Sequence, residues 1–139
     1  MKAFVLDRHG PQRALRLTDL PPPALRDDEV LVEVHAAGVN PLDAKIRNGE
    51  FKLILRYPMP LVLGHDVAGV VVQVGAGVQQ FKPGDAVYAR ADDGRIGTFA
   101  EFVAVKASSV ALKPAIVPSA SLVTNITSSG ASLNWTRPR

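Results

Sequence analysis

The sequence contains no cysteine. This absence excludes disulfide bonds, thiolate nucleophiles and every zinc site that needs sulfur ligands. Aromatic residues make up only 6% of the chain, and they do not alternate with basic residues. A base-stacking surface is therefore not expected, and we predict no nucleic-acid partner even though the formal net charge is +3.

Long hydrophobic runs are also missing. No apolar stretch reaches the roughly 18 to 20 residues that a membrane span needs, and the first ten residues lack the apolar core of a secretory signal. We therefore expect a cytoplasmic protein without a membrane partner. The 139 residues, of which 47% are hydrophobic and 21% charged, are enough for one folded domain.

Most of the chain has the pattern of short β-strands. The valines at positions 30, 32 and 34 alternate with a leucine, a glutamate and His35, so His35 falls on the more polar face. Further β-branched runs, separated by glycine and proline turns, follow Leu61. With one short helix, these strands predict a mainly β fold, arranged as a partly open barrel.

The single helix is predicted over residues 40–49. Asn40 suits the N-cap, Pro41 the first helical position, and Asp43 the acidic position of a capping box. Gly49 can end the helix in the left-handed conformation. A helix cap is therefore one complete explanation for the residue types at positions 40 and 43.

Residues 75–77, Gly-Ala-Gly, follow a predicted strand but do not fit a dinucleotide-binding turn. Such a turn needs a third glycine and a helix behind it, whereas Pro83 comes too early for two helical turns. We predict a turn between two strands.

The three histidines show no ligand spacing with the carboxylates, and we predict no metal site.

Three stretches of the sequence carry a family resemblance: GVNPLDAKIRNG, PLVLGHDVAGVVVQVGAGVQQFKPGDAVYA and GTFAEFVAVKASSVALKPA. Together they resemble the N-terminal GroES-like domain of medium-chain dehydrogenases/reductases, and most closely the zinc-independent quinone oxidoreductase branch. The similarity runs from Met1 to about Ala115, so we expect a GroES-like domain at 1–115. The resemblance implies hydride transfer from NADPH to the β-carbon of a small-molecule quinone or enone.

The same resemblance implies the site residues. Zinc-dependent members carry a cysteine where this chain has Asn40, which implies the metal-free branch. Asn40 is implied as a catalytic and cofactor-binding residue, Asp43 as a catalytic residue that orients the helix start, and His65 as a cofactor-binding residue of the cleft. Helix capping remains the alternative explanation for Asn40 and Asp43.

Residues 116–139 depart from the family pattern, in which a nucleotide-binding Rossmann domain follows. Their alternation predicts a β-hairpin with strands near 122–126 and 131–135, similar to the first strands of a fibronectin type III module. We expect a catalytic-domain fragment that is inactive alone, binds no NADPH and self-associates through exposed strand edges. The alternative is a non-catalytic β-barrel scaffold, or an engineered chimera selected for folding.

Overall fold

The computed structural model describes residues 1–115 and 132–134. In this part of the chain the fold is mainly β with one α-helix, as predicted, and no helix is long and apolar enough to cross a membrane. The elements are β1 (Lys2–Leu6), β2 (Arg16–Asp19), β3 (Glu29–Gly38), α1 (Pro41–Asn48), β4 (Leu61–Val62), β5 (Asp66–Val74), β6 (Ala86–Arg90), β7 (Phe102–Lys106), β8 (Val110–Leu112) and β9 (Ser132–Asn134).

The strands form two antiparallel sheets that do not close into one barrel. The smaller sheet has the order β2-β1-β4, and the larger has the order β7-β3-β5-β6-β8 with β9 beside β3. An isolated bridge between Ala3 and Ala100 connects β1 to the segment before β7. The prediction of a mainly β, partly open fold is confirmed.

Strand β3 lies inside the larger sheet, between β7 and β5, and its side chains show how the sequence pattern builds the core. Val30 and Val32 are completely buried and Val34 nearly so, whereas His35 on the opposite face is exposed. The buried valines contribute to a core of β-branched residues from β3, β5, β6 and β7. The predicted alternation is therefore confirmed, and burial of these side chains favours the fold.

An ion pair between a buried carboxylate and a partly exposed arginine holds the segment before β7 against the start of β3. Glu29 is completely buried, and the Arg95 Nη2 donates a hydrogen bond to its Oε2 at 3.0 Å. The Arg95 Nε lies 2.6 Å from the other carboxylate oxygen. This pair fixes the loop between β6 and β7, which contains Arg95.

The Gly-Ala-Gly segment is a turn between antiparallel strands, as predicted. The Gly75 amide donates to the Glu29 carbonyl at 2.8 Å, and the Gly77 amide donates to the Asp27 carbonyl at 2.9 Å. A Cβ on Gly75 would lie 2.2 Å from the Arg26 carbonyl oxygen, so only glycine fits there. Because these amides already have partners, the turn does not offer them to a phosphate group.

The tail contributes one described strand. Strand β9 pairs with Ala36, Ala37 and Gly38, beyond the part of β3 that β7 covers. Its position matches the second strand of the predicted hairpin, while the first strand lies outside the described residues. Self-association through strand edges stays a prediction.

Candidate functional site

Helix α1 begins and ends as its capping residues predict. The Asp43 Oδ2 accepts a hydrogen bond from the Asn40 backbone N–H at 2.8 Å, which is the acidic half of a capping box. At the other end Gly49 adopts φ 87°, and its N–H donates to the Ile46 carbonyl at 2.9 Å. Local chemistry therefore fixes where the helix starts, and with it the position of Asn40.

Asp43 also joins the helix to the histidine that precedes β5. Its second oxygen, Oδ1, accepts a hydrogen bond from the His65 Nδ1 at 2.7 Å. Both side chains are buried, with exposed fractions of 2% for Asp43 and 0% for His65. A carboxylate only accepts hydrogen bonds, so the His65 Nδ1 carries a proton in this bond. The Nε2 is buried and lies 3.7 Å from the Asp93 Oδ1, too far for a hydrogen bond.

The side chain of Asn40 has a separate partner on β5. Its Nδ2 donates to the Asp66 Oδ2 at 2.8 Å. Asp66 is also 2% exposed, and its other oxygen, Oδ1, is buried without a hydrogen-bond partner among the described residues. The pair therefore leaves one carboxylate oxygen with accepting capacity.

Asn40 and Asp66 line a pocket of about 230 Å³, with Pro41, Leu42 and Arg90 as its other walls. The strand register explains the arrangement, because Asp66 pairs with Gly38 on β3 and with Arg90 on β6. The pocket is smaller than the roughly 300 to 1,000 Å³ of typical small-molecule sites. A pocket of this volume can hold one portion of a cofactor or substrate, and the rest of the molecule would lie outside it.

Arg90 in the pocket wall is linked through Asp93 to Tyr57, and Asp93 lies beside His65. The Arg90 Nη2 donates to the Asp93 Oδ1 at 3.1 Å, and the Tyr57 hydroxyl donates to the Asp93 carbonyl. Partial burial, followed by the nearby charges of Asp93 and Asp43, raises the pKa of the Tyr57 phenol above its usual value, although Arg90 acts in the opposite direction. Tyr57 therefore favours the neutral form in the folded protein.

A difference titration of the parent chain against Tyr57→Phe should show a phenol that ionises above the usual tyrosine pKa of about 10. Because the folded-state pKa is raised, the contribution of neutral Tyr57 to stability is complete below the unfolded-state pKa of about 10. This contribution is lost as the pH rises through the folded-state pKa. Ultraviolet absorbance of tyrosinate measures the titration. A difference midpoint below the usual pKa would contradict this assignment.

The structure separates the three predicted site residues into two groups. Asn40 lines the pocket, whereas Asp43 and His65 lie buried and bonded to each other, outside the pocket wall. Their catalytic and cofactor-binding roles stay predictions. Sequence reasoning missed Asp66 and Arg90 as pocket residues; the available signal was an aspartate at the start of an otherwise apolar β run.

The described residues contain no group of three or more histidine, cysteine, aspartate or glutamate side chains placed to hold a metal ion. Asn40 offers a neutral amide whose nitrogen already donates to Asp66. His65 has one ring nitrogen on Asp43. This donor set does not fit a zinc centre.

Comparison with known proteins identifies the domain. Residues 26–115 match the model of the alcohol dehydrogenase GroES-like domain. An NADPH-dependent alkenal/one oxidoreductase of Arabidopsis thaliana chloroplasts is 43% identical over 121 residues, covering 82% of this chain and 31% of the relative. A human mitochondrial NAD(P)H oxidoreductase is 41% identical over 128 residues, covering 82% and 32%.

A solved structure gives the same result. The quinone oxidoreductase of Coxiella burnetii superposes with a TM-score of 0.80 at 32% identity, over 89% of this chain and 40% of that one. The chain spans about a third of the length of the curated relatives above. Because those two are organellar proteins, a cytoplasmic location stays a prediction.

The comparisons give no support to the predicted fibronectin type III similarity of the tail; the family match ends at residue 115. Over most of its length, however, the sequence, the fold and the relatives agree. The chain belongs to the alcohol dehydrogenase GroES-like domain family of the medium-chain dehydrogenases/reductases, and its relatives there include quinone and enone oxidoreductases.

Proposed function

We propose that this chain is the substrate-side domain of an NADPH-dependent oxidoreductase acting on enones or quinones, and that the 139 residues alone do not catalyse the reaction. The observation that carries the proposal is the pocket beside Asn40, in a domain whose relatives include enone and quinone oxidoreductases. The pocket has a polar wall of Asn40, Asp66 and Arg90, and an apolar wall of Pro41 and Leu42. Such a surface suits the reacting end of a cofactor and a small conjugated carbonyl compound.

The size of the pocket supports inactivity of the isolated chain. At about 230 Å³ it has room for only part of a dinucleotide. The glycine turn at residues 75–77 has its amides engaged with backbone carbonyls, so it does not provide a phosphate site. Contacts to the phosphates and adenine of NADPH must therefore come from beyond this pocket, and hydride transfer needs donor and acceptor held together with water excluded.

NADPH, when bound, supplies the hydride for the reduction. The residues of this chain orient the acceptor and stabilise charge. Asn40 has one amide hydrogen on Asp66 and a second available. Arg90, half-exposed at the pocket, bonds Asp93 through Nη2 and has further donors for a carbonyl oxygen that becomes negative.

Turnover measurements on two proteins test the function. One is the 139-residue chain, and the other is a fusion of residues 1–115 to the part of the Arabidopsis thaliana relative that follows its matched third. NADPH absorbance is followed with an alk-2-enal and with a quinone. We expect turnover only by the fusion, and a roughly 100-fold loss of kcat for Asn40→Ala within it.

The matched control is Leu17→Ala, a change at a half-exposed side chain of β2 that is not a pocket residue. It should leave the kcat of the fusion unchanged. Turnover by the 139-residue chain would overturn the proposed inactivity. A folded, NADPH-binding fusion that reduces neither substrate would overturn the proposed function.

A further inference from the structure

Two aliphatic side chains protrude from the turn that follows helix α1. Leu53 and Ile54 are each 81% exposed, more than any other large hydrophobic residue in the part of the chain that the structure describes. The base of the turn is anchored: the Ile54 N–H donates to the Phe51 carbonyl at 2.9 Å, and Phe51 and Leu55 pack against the core. An ordered backbone therefore presents two apolar side chains to water, an exposure that a partner would relieve.

Basic side chains surround this end of the helix, because three segments meet there. The Nδ1 of His9 and the N–H of Gly10 donate to carbonyl oxygens of the last turn of α1, at 2.8 and 2.9 Å. The Lys52 N–H donates to the Gly49 carbonyl at 3.3 Å. The basic surface formed in this way contains six cations: Arg8, Arg13, Lys45, Arg47, Lys52 and Arg56.

The cations of the basic surface have no acidic partners of their own. None of the six forms an ion pair with a described residue, whereas most other basic side chains do, as Lys82 does with Asp85 at 3.0 Å. Segments 8–13 and 45–56 contain a single carboxylate, Glu50. The surface therefore has an excess of five positive charges, more than the formal +3 of the whole chain. Such a local excess attracts an anionic partner.

The combination of positive charge and exposed aliphatic groups selects the kind of partner. A soluble polyanion would contact the cations and leave Leu53 and Ile54 in water. A second copy of this chain would cover the two aliphatic side chains but would bring two strongly positive surfaces together. An anionic lipid bilayer satisfies both features, since its headgroups attract the cations and its acyl boundary accepts aliphatic side chains.

We propose that the basic surface docks on an anionic lipid bilayer, with Leu53 and Ile54 inserted at the level of the headgroups. The prediction of no membrane partner was based on the lack of long apolar runs, and docking at the headgroups needs none. The proposal is independent of the proposed function, because no residue of the basic surface lines the pocket beside Asn40. Each cation close to the bilayer should strengthen binding roughly fivefold.

Co-sedimentation of the 139-residue chain with lipid vesicles tests the proposal. One set of vesicles contains phosphatidylcholine mixed with phosphatidylserine, and the other contains phosphatidylcholine alone. We expect saturable binding to the anionic vesicles, at least about tenfold tighter than to the neutral ones. Because salt screens the attraction of exposed charges, the affinity for the anionic vesicles should fall as the salt concentration is raised.

Two double variants separate the contribution of charge from that of insertion. Lys52→Gln with Arg56→Gln keeps both aliphatic side chains and should weaken binding to the anionic vesicles roughly 25-fold, at about fivefold for each cation. Leu53→Ser with Ile54→Ser keeps every charge and should weaken the same binding at least about tenfold, because the apolar contact with the acyl boundary is lost.

Each double variant has a matched control elsewhere in the chain. Lys2→Gln with Lys82→Gln removes the same net charge from two exposed lysines outside the basic surface. Leu17→Ser with Leu112→Ser removes two exposed aliphatic side chains from β2 and β8. Both controls should bind within about twofold of the parent. Circular dichroism establishes that each variant is folded before its binding is measured.

Several results would contradict the proposal. Absent binding of the parent chain, or equal binding to both kinds of vesicle, would overturn it. Equal losses in the charge variant and its control would assign the effect to total charge. If the serine variant at positions 53 and 54 binds vesicles and heparin as the parent does, the occupant is a soluble polyanion.

Two further measurements concern what else covers the basic surface. A parent dimer in gel filtration that the serine variant at positions 53 and 54 does not form would identify a second copy as the occupant, against the proposal. The fusion used for turnover should bind the anionic vesicles as the 139-residue chain does. Loss of binding in a folded fusion would mean that the added part covers the surface, and would overturn the proposal.

Discussion

Replacement of Asp43 by alanine should lower the free energy of unfolding by about 3 kcal/mol, because it leaves one buried and one partly buried donor without their acceptor. The buried donor is the His65 Nδ1–H at 2.7 Å, and the partly buried donor is the Asn40 backbone N–H at 2.8 Å. The exposed fractions of Asp43 and His65 are 2% and 0%. Urea denaturation followed by circular dichroism measures the change.

Two further variants show whether the loss comes from these bonds. Asp43→Asn keeps the size of the side chain and one accepting oxygen, so its stability should fall between those of the parent and the alanine variant. Asp19→Ala removes an exposed aspartate that lies 3.6 Å from Lys2, and should leave stability close to that of the parent. If Asp43→Ala behaves like Asp19→Ala, the bridge does not stabilise the fold.

Gly64→Ala should be more damaging still, and a second glycine provides a matched control. Gly64 and Gly84 have similar φ values, 103° and 96°, so alanine at either position should cost about 1 to 2 kcal/mol of backbone strain. At Gly64 the new Cβ would also lie 2.2 Å from the Thr98 Oγ1 and 2.6 Å from the Phe99 ring, whereas at Gly84 nothing lies within 4 Å. Overpacking should add about 3 kcal/mol at Gly64 alone.

Thermal unfolding of Gly64→Ala and Gly84→Ala, measured side by side, separates strain from contact. We expect Gly84→Ala to fold with a modestly reduced Tm, and Gly64→Ala to be unfolded or strongly destabilised. Equal losses for the two variants would mean that the space around Gly64 adjusts, and that only its backbone conformation matters.

Much of helix α1 could be predicted from the sequence because its determinants are local. Asn40, Asp43 and Gly49 act on backbone groups within a few residues, so their types and spacing are enough. The burial of Val30 and Val32 on β3 could also be predicted, because it follows from the alternation of residue types within one strand. The family resemblance added the assignment to a GroES-like domain, which no local pattern contains.

The pocket could not be predicted in the same way, because pairing between distant strands builds it. Asp66 meets Arg90 only through the register of β5 with β6, and Asn40 reaches Asp66 only because β3 ends opposite β5. The buried Glu29 is a similar case, since its partner Arg95 is 66 residues away in the chain. A charged residue in a strand reveals its partner only when the register is known.

The bridge through Asp43 has a consequence for how the pocket responds to a ligand. One carboxylate fixes the first turn of the helix and the ring of His65 at once, so the wall beside Asn40 is preorganised by the same bonds that stabilise the fold. A molecule entering there would pay little conformational entropy for ordering that wall. Discrimination between ligands should accordingly depend on fit to a rigid surface, with little adaptation by the protein.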